Sequence, residues 1–205
     1  MNRRHSTRTA PARSRGFVLA YLLFTLALAA IVTVGLSQIR STDVQAQQVS
    51  LSVDRLVRSI EIIRGQVIHC AAAYPAGATV TVPGLGTITT QYPVLPDGDT
   101  GYKTGTGDAS TLQCPGAPAG QNHLWSGRDT VYYPEPGSGF DPWQYTIVVS
   151  SPPLTVTEIK LTLANASGGT GLAALRRVVQ RFPGGTVSLD EATGVLTVEL
   201  LTAAP

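Results

Sequence analysis

The chain has 205 residues, of which 43% are hydrophobic and 14% charged, enough for one substantial domain and an apolar anchor. Its net charge of +2 and pI near 8.7 do not point to nucleic acid. Five of the fifteen basic residues lie before Gly16, where there is no acid, and beyond it thirteen acidic residues outnumber ten basic ones, so the body of the protein is mildly acidic.

Arg3, Arg4, Arg8, Arg13 and Arg15 are followed by Gly16 and then by twenty uncharged, mostly apolar residues, Phe17 to Leu36. At ~1.5 Å rise per residue, a helix of that length just spans a ~30 Å bilayer core. Residues 17–36 are therefore expected to cross a membrane, with the arginines cytoplasmic and the chain after Leu36 on the far side. A secretory signal peptide fits less well. Its apolar stretch is ~7–15 residues with a small-x-small exit, whereas the small pair in Ala27-Leu28-Ala29 lies inside this run. An uncleaved signal anchor is the other reading, and Arg3-Arg4 lacks the surroundings of a twin-arginine signal.

The order of basic leader (1–16), glycine, phenylalanine and apolar helix, in Arg15-Gly16-Phe17-Val18-Leu19-Ala20, resembles the type IV prepilin leader of bacterial pilins and type II secretion pseudopilins. The resemblance implies cleavage after Gly16 by a prepilin peptidase and N-methylation of the new terminus, Phe17. In that family the fifth mature residue is usually glutamate, which neutralises the terminal amine of a neighbouring subunit. Here the assembly position holds Tyr21, whose phenol can hydrogen-bond an amine without neutralising it. The type II tip pseudopilin commonly lacks the glutamate too, so the resemblance implies a specialised, minor subunit.

From Ser37 to Tyr74 there is no proline and a single glycine, Gly65. Val49, Val53, Leu56, Val57, Ile60, Ile63, Val67 and Cys70 recur at spacings of three and four, one face of a helix. On the other face Asp54 and Arg58, and Glu61 and Arg64, are spaced for ion pairs. Residues 37–75 are thus expected to extend the helix beyond the membrane, polar nearly all round at 41–48 and then amphipathic, until Pro75 and Gly77 end it. Pilins share this design: one long helix whose second half packs under a sheet.

The two cysteines, Cys70 and Cys114, are expected to form a disulfide in the oxidising space beyond a membrane. It would close a loop of about 45 residues and add roughly 4 kcal/mol on the chain-entropy model. A reactive pair of Cys70 with His69 is the functional alternative, but adjacent residues on a helix point in different directions.

Residues 76–122 are rich in Gly, Pro, Thr and Asp and read as a long loop with short β-like pieces at Thr79–Val82 and Gly86–Thr90, pinned at Cys114. Asp97, Asp99 and Asp108 occupy the first, third and twelfth places of an EF-hand-like window, but Tyr102 fills the sixth, where glycine is needed. That leaves two readings, a looser calcium site or solvated turn aspartates, and no other cofactor is expected. Trp143, Tyr145, Ile147 and Val149 alternate with more polar residues, as in a half-buried strand. Tyr132, Tyr133, Phe140 and Trp143 gather around Pro134, Pro136 and Pro142; they read as a satellite core or as a loop binding a protein or glycan ligand. His123 and Asp129 lack a serine in a nucleophile-elbow pattern, so no catalytic residue is assigned.

Leu154 to Leu163 reads as a strand whose apolar parity changes between Val156 and Ile159, which a bulge near Thr157-Glu158 would reconcile. Thr170 is expected to cap a short helix, 171–182, with Leu172, Leu175, Val178, Val179 and Phe182 on one face. Thr186–Leu189 and Val195–Leu201 are expected to form a hairpin. The fold class expected is α+β: a long N-terminal helix, transmembrane in its first half, packed against an antiparallel β-sheet domain (76–205). The expected function is that of a non-catalytic minor pilin or pseudopilin. It would sit in the bacterial inner membrane with its globular domain in the periplasm or on an assembled pilus, with prepilin peptidase and other pilin or pseudopilin subunits as partners. The alternative is an anchored periplasmic binding module that does not polymerise.

Overall fold

The computed structural model describes residues 15–98, 101–126, 131–150, 153–166, 168–182 and 184–202, with side chains at 19–34 and from 44 onward. The first element, α1, is Arg15–Ala73. Residues up to Gln47 belong to one unit of the structure, and Gln48 to Pro205 make a second, compact one.

In the second unit α1 buries the stripe that its spacing predicts. Val49, Val53, Leu56, Ile60, Ile63, Val67 and Cys70 are all under a tenth exposed, and Leu56 and Ile63 are wholly buried. Among the described residues no ion pair joins Asp54 to Arg58 or Glu61 to Arg64. Such exposed pairs stabilise by only a few tenths of a kcal/mol, too little to hold two long side chains in place. The helix ends where Tyr74 N donates to Cys70 O at 3.1 Å and Gly77 N to Tyr74 O at 2.9 Å. Gly77 turns the chain at φ 60°, and any Cβ there would strike the Thr90 carbonyl. Glycine is therefore required both by conformation and by space.

The segment read as a long loop with β-like pieces at Thr79–Val82 and Gly86–Thr90 has strands at both pieces and three further short ones. β1 (Ala78–Val82) and β2 (Gly86–Thr90) form a hairpin, and β3 (Leu95–Asp97) and β4 (Gly101–Lys103) complete a four-stranded sheet in the order β2-β1-β4-β3. β5 (Gly105–Asp108) leaves that sheet and becomes an edge of the second, ordered β5-β6-β7-β9-β8, with β6 Gln144–Val149, β7 Val156–Ala164, β8 Val187–Asp190 and β9 Val195–Thr202. All four pairings of the second sheet are antiparallel. The two sheets meet closely where a Cβ added to Gly107 on β5 would stand 2.8 Å from both Leu95 methyls of β3, so a hydrogen side chain lets the layers approach.

The parity change in β7 is a bulge: Val148 faces Glu158 while Val149 faces Val156, leaving Thr157 extra. The Thr157 hydroxyl donates to Val148 O at 3.2 Å. A second shift, between Ile159 and Lys160, leaves Leu200 extra on β9. Between β7 and β8 runs α2, Gly169–Arg181. Its N-cap is Gly168, with no side-chain cap, and Thr170 lies within the first turn. The expected cap is thus two residues late, because Gly168 at φ 77° turns the chain where a threonine would be strained. The buried face of α2 is Gly171, Ala174, Leu175 and Val178, rotated from the expected one toward the small residues. The α1 stripe, the inner faces of both sheets and α2 meet in one apolar core. The chain is thus α+β, with the second part of its long helix under antiparallel-rich sheets.

Candidate functional site

In the first unit, apolar side chains surround α1. Leu19, Leu22, Leu23, Phe24, Leu26, Leu28, Ile31, Val32 and Val34 are each more than half exposed. Burying a side chain of this size gains about 1.5–3 kcal/mol, so the nine forgo on the order of 20 kcal/mol. A helix apolar on every side belongs inside a protein assembly or a bilayer. The polar side chains are consistent with such surroundings: Thr25 Oγ1 donates to Leu22 O at 2.9 Å and Thr33 Oγ1 to Ala29 O at 2.7 Å, so neither hydroxyl needs water. Tyr21 is 65% exposed and makes no such bond among the described residues. Among those residues, too, no helix is long and apolar enough to cross a membrane. The ends of the expected span, Phe17-Val18 and Gly35-Leu36, lie outside the described side chains. Gly16 and Phe17 fall in the first turn of α1 by backbone, and leader residues 1–14 lie outside the described residues.

In the second unit, Cys70 on the last turn of α1 is disulfide-bonded to Cys114, with Cα atoms 5.8 Å apart. The bond fastens the end of the helix to the segment after the first sheet. Asp97 ends β3 and lies 3.7 Å from Lys103 Nζ on β4. Asp108 ends β5, and its carboxylate accepts from Ser110 N at 2.8 Å, capping a short 3-10 turn. The two carboxylates thus end strands of different sheets and have separate partners. Asp99 lies outside the described residues. Among the described residues no three potential metal ligands cluster.

The aromatic group divides. Trp143 is fully buried, and Tyr133 meets Trp125 edge-on at 5.6 Å between ring centres. Both tryptophans belong to the main core and Tyr133 packs against it, so this part of the group joins that core instead of forming a satellite one. Phe140 is half-buried, while Tyr132 is 70% exposed. The segment carrying them runs along α1 and encloses an open groove of about 920 Å³. Gln48, Ser52, Arg55, Ser59 and Ile62, alternating four and three apart, form its floor; Pro134 to Phe140 form one wall and the start of α2 another. Gly137 is pressed against Arg55: an added Cβ would stand 2.8 Å from Arg55 Nη1. The groove combines charged groups of both signs, Asp54, Arg55, Arg58 and Glu135, with modest apolar surface. It escaped sequence reading because its walls come from segments far apart in the chain. His123 Nδ1 accepts from the Trp125 backbone N–H at 3.2 Å, a local turn contact, and Asp129 lies outside the described residues.

No family model, curated protein or solved structure matches the chain.

Proposed function

We propose that the chain is a minor pilin or pseudopilin, a non-catalytic single-pass subunit of a type IV pilus or type II secretion-like filament, anchored in the bacterial inner membrane with its globular domain in the periplasm. The observation that carries this reading is the junction Arg15-Gly16-Phe17, placed directly ahead of an uncharged apolar run. Two structural features support it. The exposed apolar surface from Leu19 to Val34 needs a non-aqueous partner, whether lipid or the helices of neighbouring subunits. The same helix then changes to a single buried stripe, Val49 to Cys70, beneath antiparallel strands. In this reading prepilin peptidase cuts after Gly16 and Phe17 is methylated.

The test is mass spectrometry of the protein taken from its native membrane. A chain beginning at Phe17 and heavier by one methyl group is the expected result, and Gly16→Leu should abolish the cut. An intact Met1 terminus, or one near Ala46, overturns the assignment. The groove beside Arg55 and Gly137 favours a second reading, an anchored binding module. The two separate on whether the mature protein is recovered in sheared filaments or stays wholly in the membrane fraction.

A further inference from the structure

The hairpin of β1 and β2 leaves one edge of the first sheet open. Among the described residues, β2 is bonded to β1 and to no other element. Natural edge strands are usually protected by lysine, proline, a bulge or extreme shortness. The strand Gly86-Thr87-Ile88-Thr89-Thr90 has no lysine or proline, and its five-residue ladder to β1 runs without a register shift. No Asp, Glu, Lys or Arg occurs anywhere from Gly65 to Pro96, so this edge strand and the chain on either side of it bring no fixed charge.

The two faces of the hairpin are sharply different. Thr79 opposes Thr89 and Thr81 opposes Thr87, and all four threonines are exposed. Val80, Val82 and Ile88 on the other face enter the core. The hairpin is also held firmly in place. Its base is closed by the fit of Gly77 against Thr90, and the adjoining helix end is tied by the Cys70–Cys114 bond. A strand already fixed in its bound conformation loses little entropy on pairing.

We propose that β2 pairs antiparallel with β2 of a second copy of this chain, about a two-fold axis at Ile88. The strand reads Thr-Ile-Thr in either direction across that residue. This register therefore sets Thr87 of one copy opposite Thr89 of the other on the wet face and brings the two Ile88 side chains together on the core face. A two-fold interface sets the same patch of both copies against itself. A charged edge would repel itself there, and this one carries no charge to do so. An unrelated extended segment would need charges or side-chain pockets to be selected, whereas β2 carries no charge and does not line the groove beside α1. Pairing joins two four-stranded sheets into one of eight strands. The proposal does not depend on the filament reading.

The test uses the full chain in detergent, with native mass spectrometry across a concentration series. A concentration-dependent dimer is expected. Co-expressed Thr87→Cys and Thr89→Cys chains should cross-link to each other in preference to either variant with itself, since like positions then lie on the longer diagonal, ~7–8 Å apart. The double variant Thr87→Lys/Thr89→Lys sets lysine opposite lysine and should raise the dimer dissociation constant about tenfold or more, with the Cys70–Cys114 bond intact. Should the lysine variant fail to fold, the cysteine pairs decide alone. A wild-type monomer at every concentration overturns the proposal. So do a dimer that the lysines leave untouched, cysteine pairs that link no better than like positions, and a link from either introduced cysteine to a different protein without a homodimer.

Discussion

The Tyr145 hydroxyl donates to the Pro93 carbonyl at 2.9 Å, a buried bond between residues 52 positions apart. Tyr145 lies on β6 of the second sheet, and Pro93 sits just before β3 of the first. This contact fixes one sheet against the other at a point shielded from water. Tyr145→Phe leaves the packing in place but strands the carbonyl. It is expected to cost about 1–3 kcal/mol, read as a lowered midpoint in denaturant unfolding with unchanged slope. An unchanged midpoint would show that the carbonyl finds water once the hydroxyl is gone.

Stability should fall at alkaline pH. Burial pushes the Tyr145 phenol well above its usual value, with a smaller contribution from Tyr92. Tyr133 is pushed up to about 12, first by burial and then by the charge of Asp108. Both groups hold their protons more tightly folded than unfolded, where a phenol ionises near ~10. Their contribution is therefore fully present below about pH 10 and is lost as pH rises through the folded-state values. Unfolding free energies measured between about pH 8 and pH 11 should stay level and then decline, and Tyr145→Phe should flatten the decline. A profile level to the end of the range would contradict this.

The disulfide closes a long loop that holds the whole first sheet. Removing it as Cys70→Ala with Cys114→Ala is expected to cost about 2–5 kcal/mol and to loosen β1 and β2 before the second sheet. Hydrogen exchange should report faster amide turnover at 78–90 than at 159–163. Thiol labelling of the unreduced, denatured wild type should find no free cysteine.

Tyr21 bears on copy number. Under the filament reading, a phenol at this position hydrogen-bonds a neighbour's amine but leaves its charge, at a site where low dielectric magnifies the difference. Successive copies are then expected to stack poorly, giving a low-copy subunit at a filament tip or in an initiation complex. Quantitative mass spectrometry of purified filaments should count it far below the main subunit, and Tyr21→Glu should raise its share. Filaments composed mainly of the wild-type chain would refute the minor-subunit reading.

What could be read from sequence follows how local each signal is. The buried stripe from Val49 to Cys70 repeats over many turns, so period alone locates it, and the β8–β9 hairpin announces itself by alternation around Asp190 to Gly194. The bulge at Thr157 was legible because a parity change has few other remedies. β3, β4 and β5 were not legible. Leu95-Pro96-Asp97, Gly101-Tyr102-Lys103 and Gly105-Thr106-Gly107-Asp108 have turn composition, and they are strands only because β1 pairs with β4, β4 with β3, and β6 with β5. The groove beside α1 had no local signal, and Tyr132 and Trp143 looked alike in sequence yet end at opposite extremes of exposure.

The two extra residues of the second sheet have a consequence for how the chain tolerates changes in length. Thr157 and Leu200 sit on neighbouring strands, near where β7 starts and β9 finishes, and each absorbs one surplus position without disturbing Ile159, Leu161 or Leu163. Deleting Thr157 would merely straighten the ladder there. Deleting one residue between Lys160 and Leu163 would turn every side chain beyond it to the wrong face. Homologous chains are therefore expected to differ in length at these two places and to keep strict count between them.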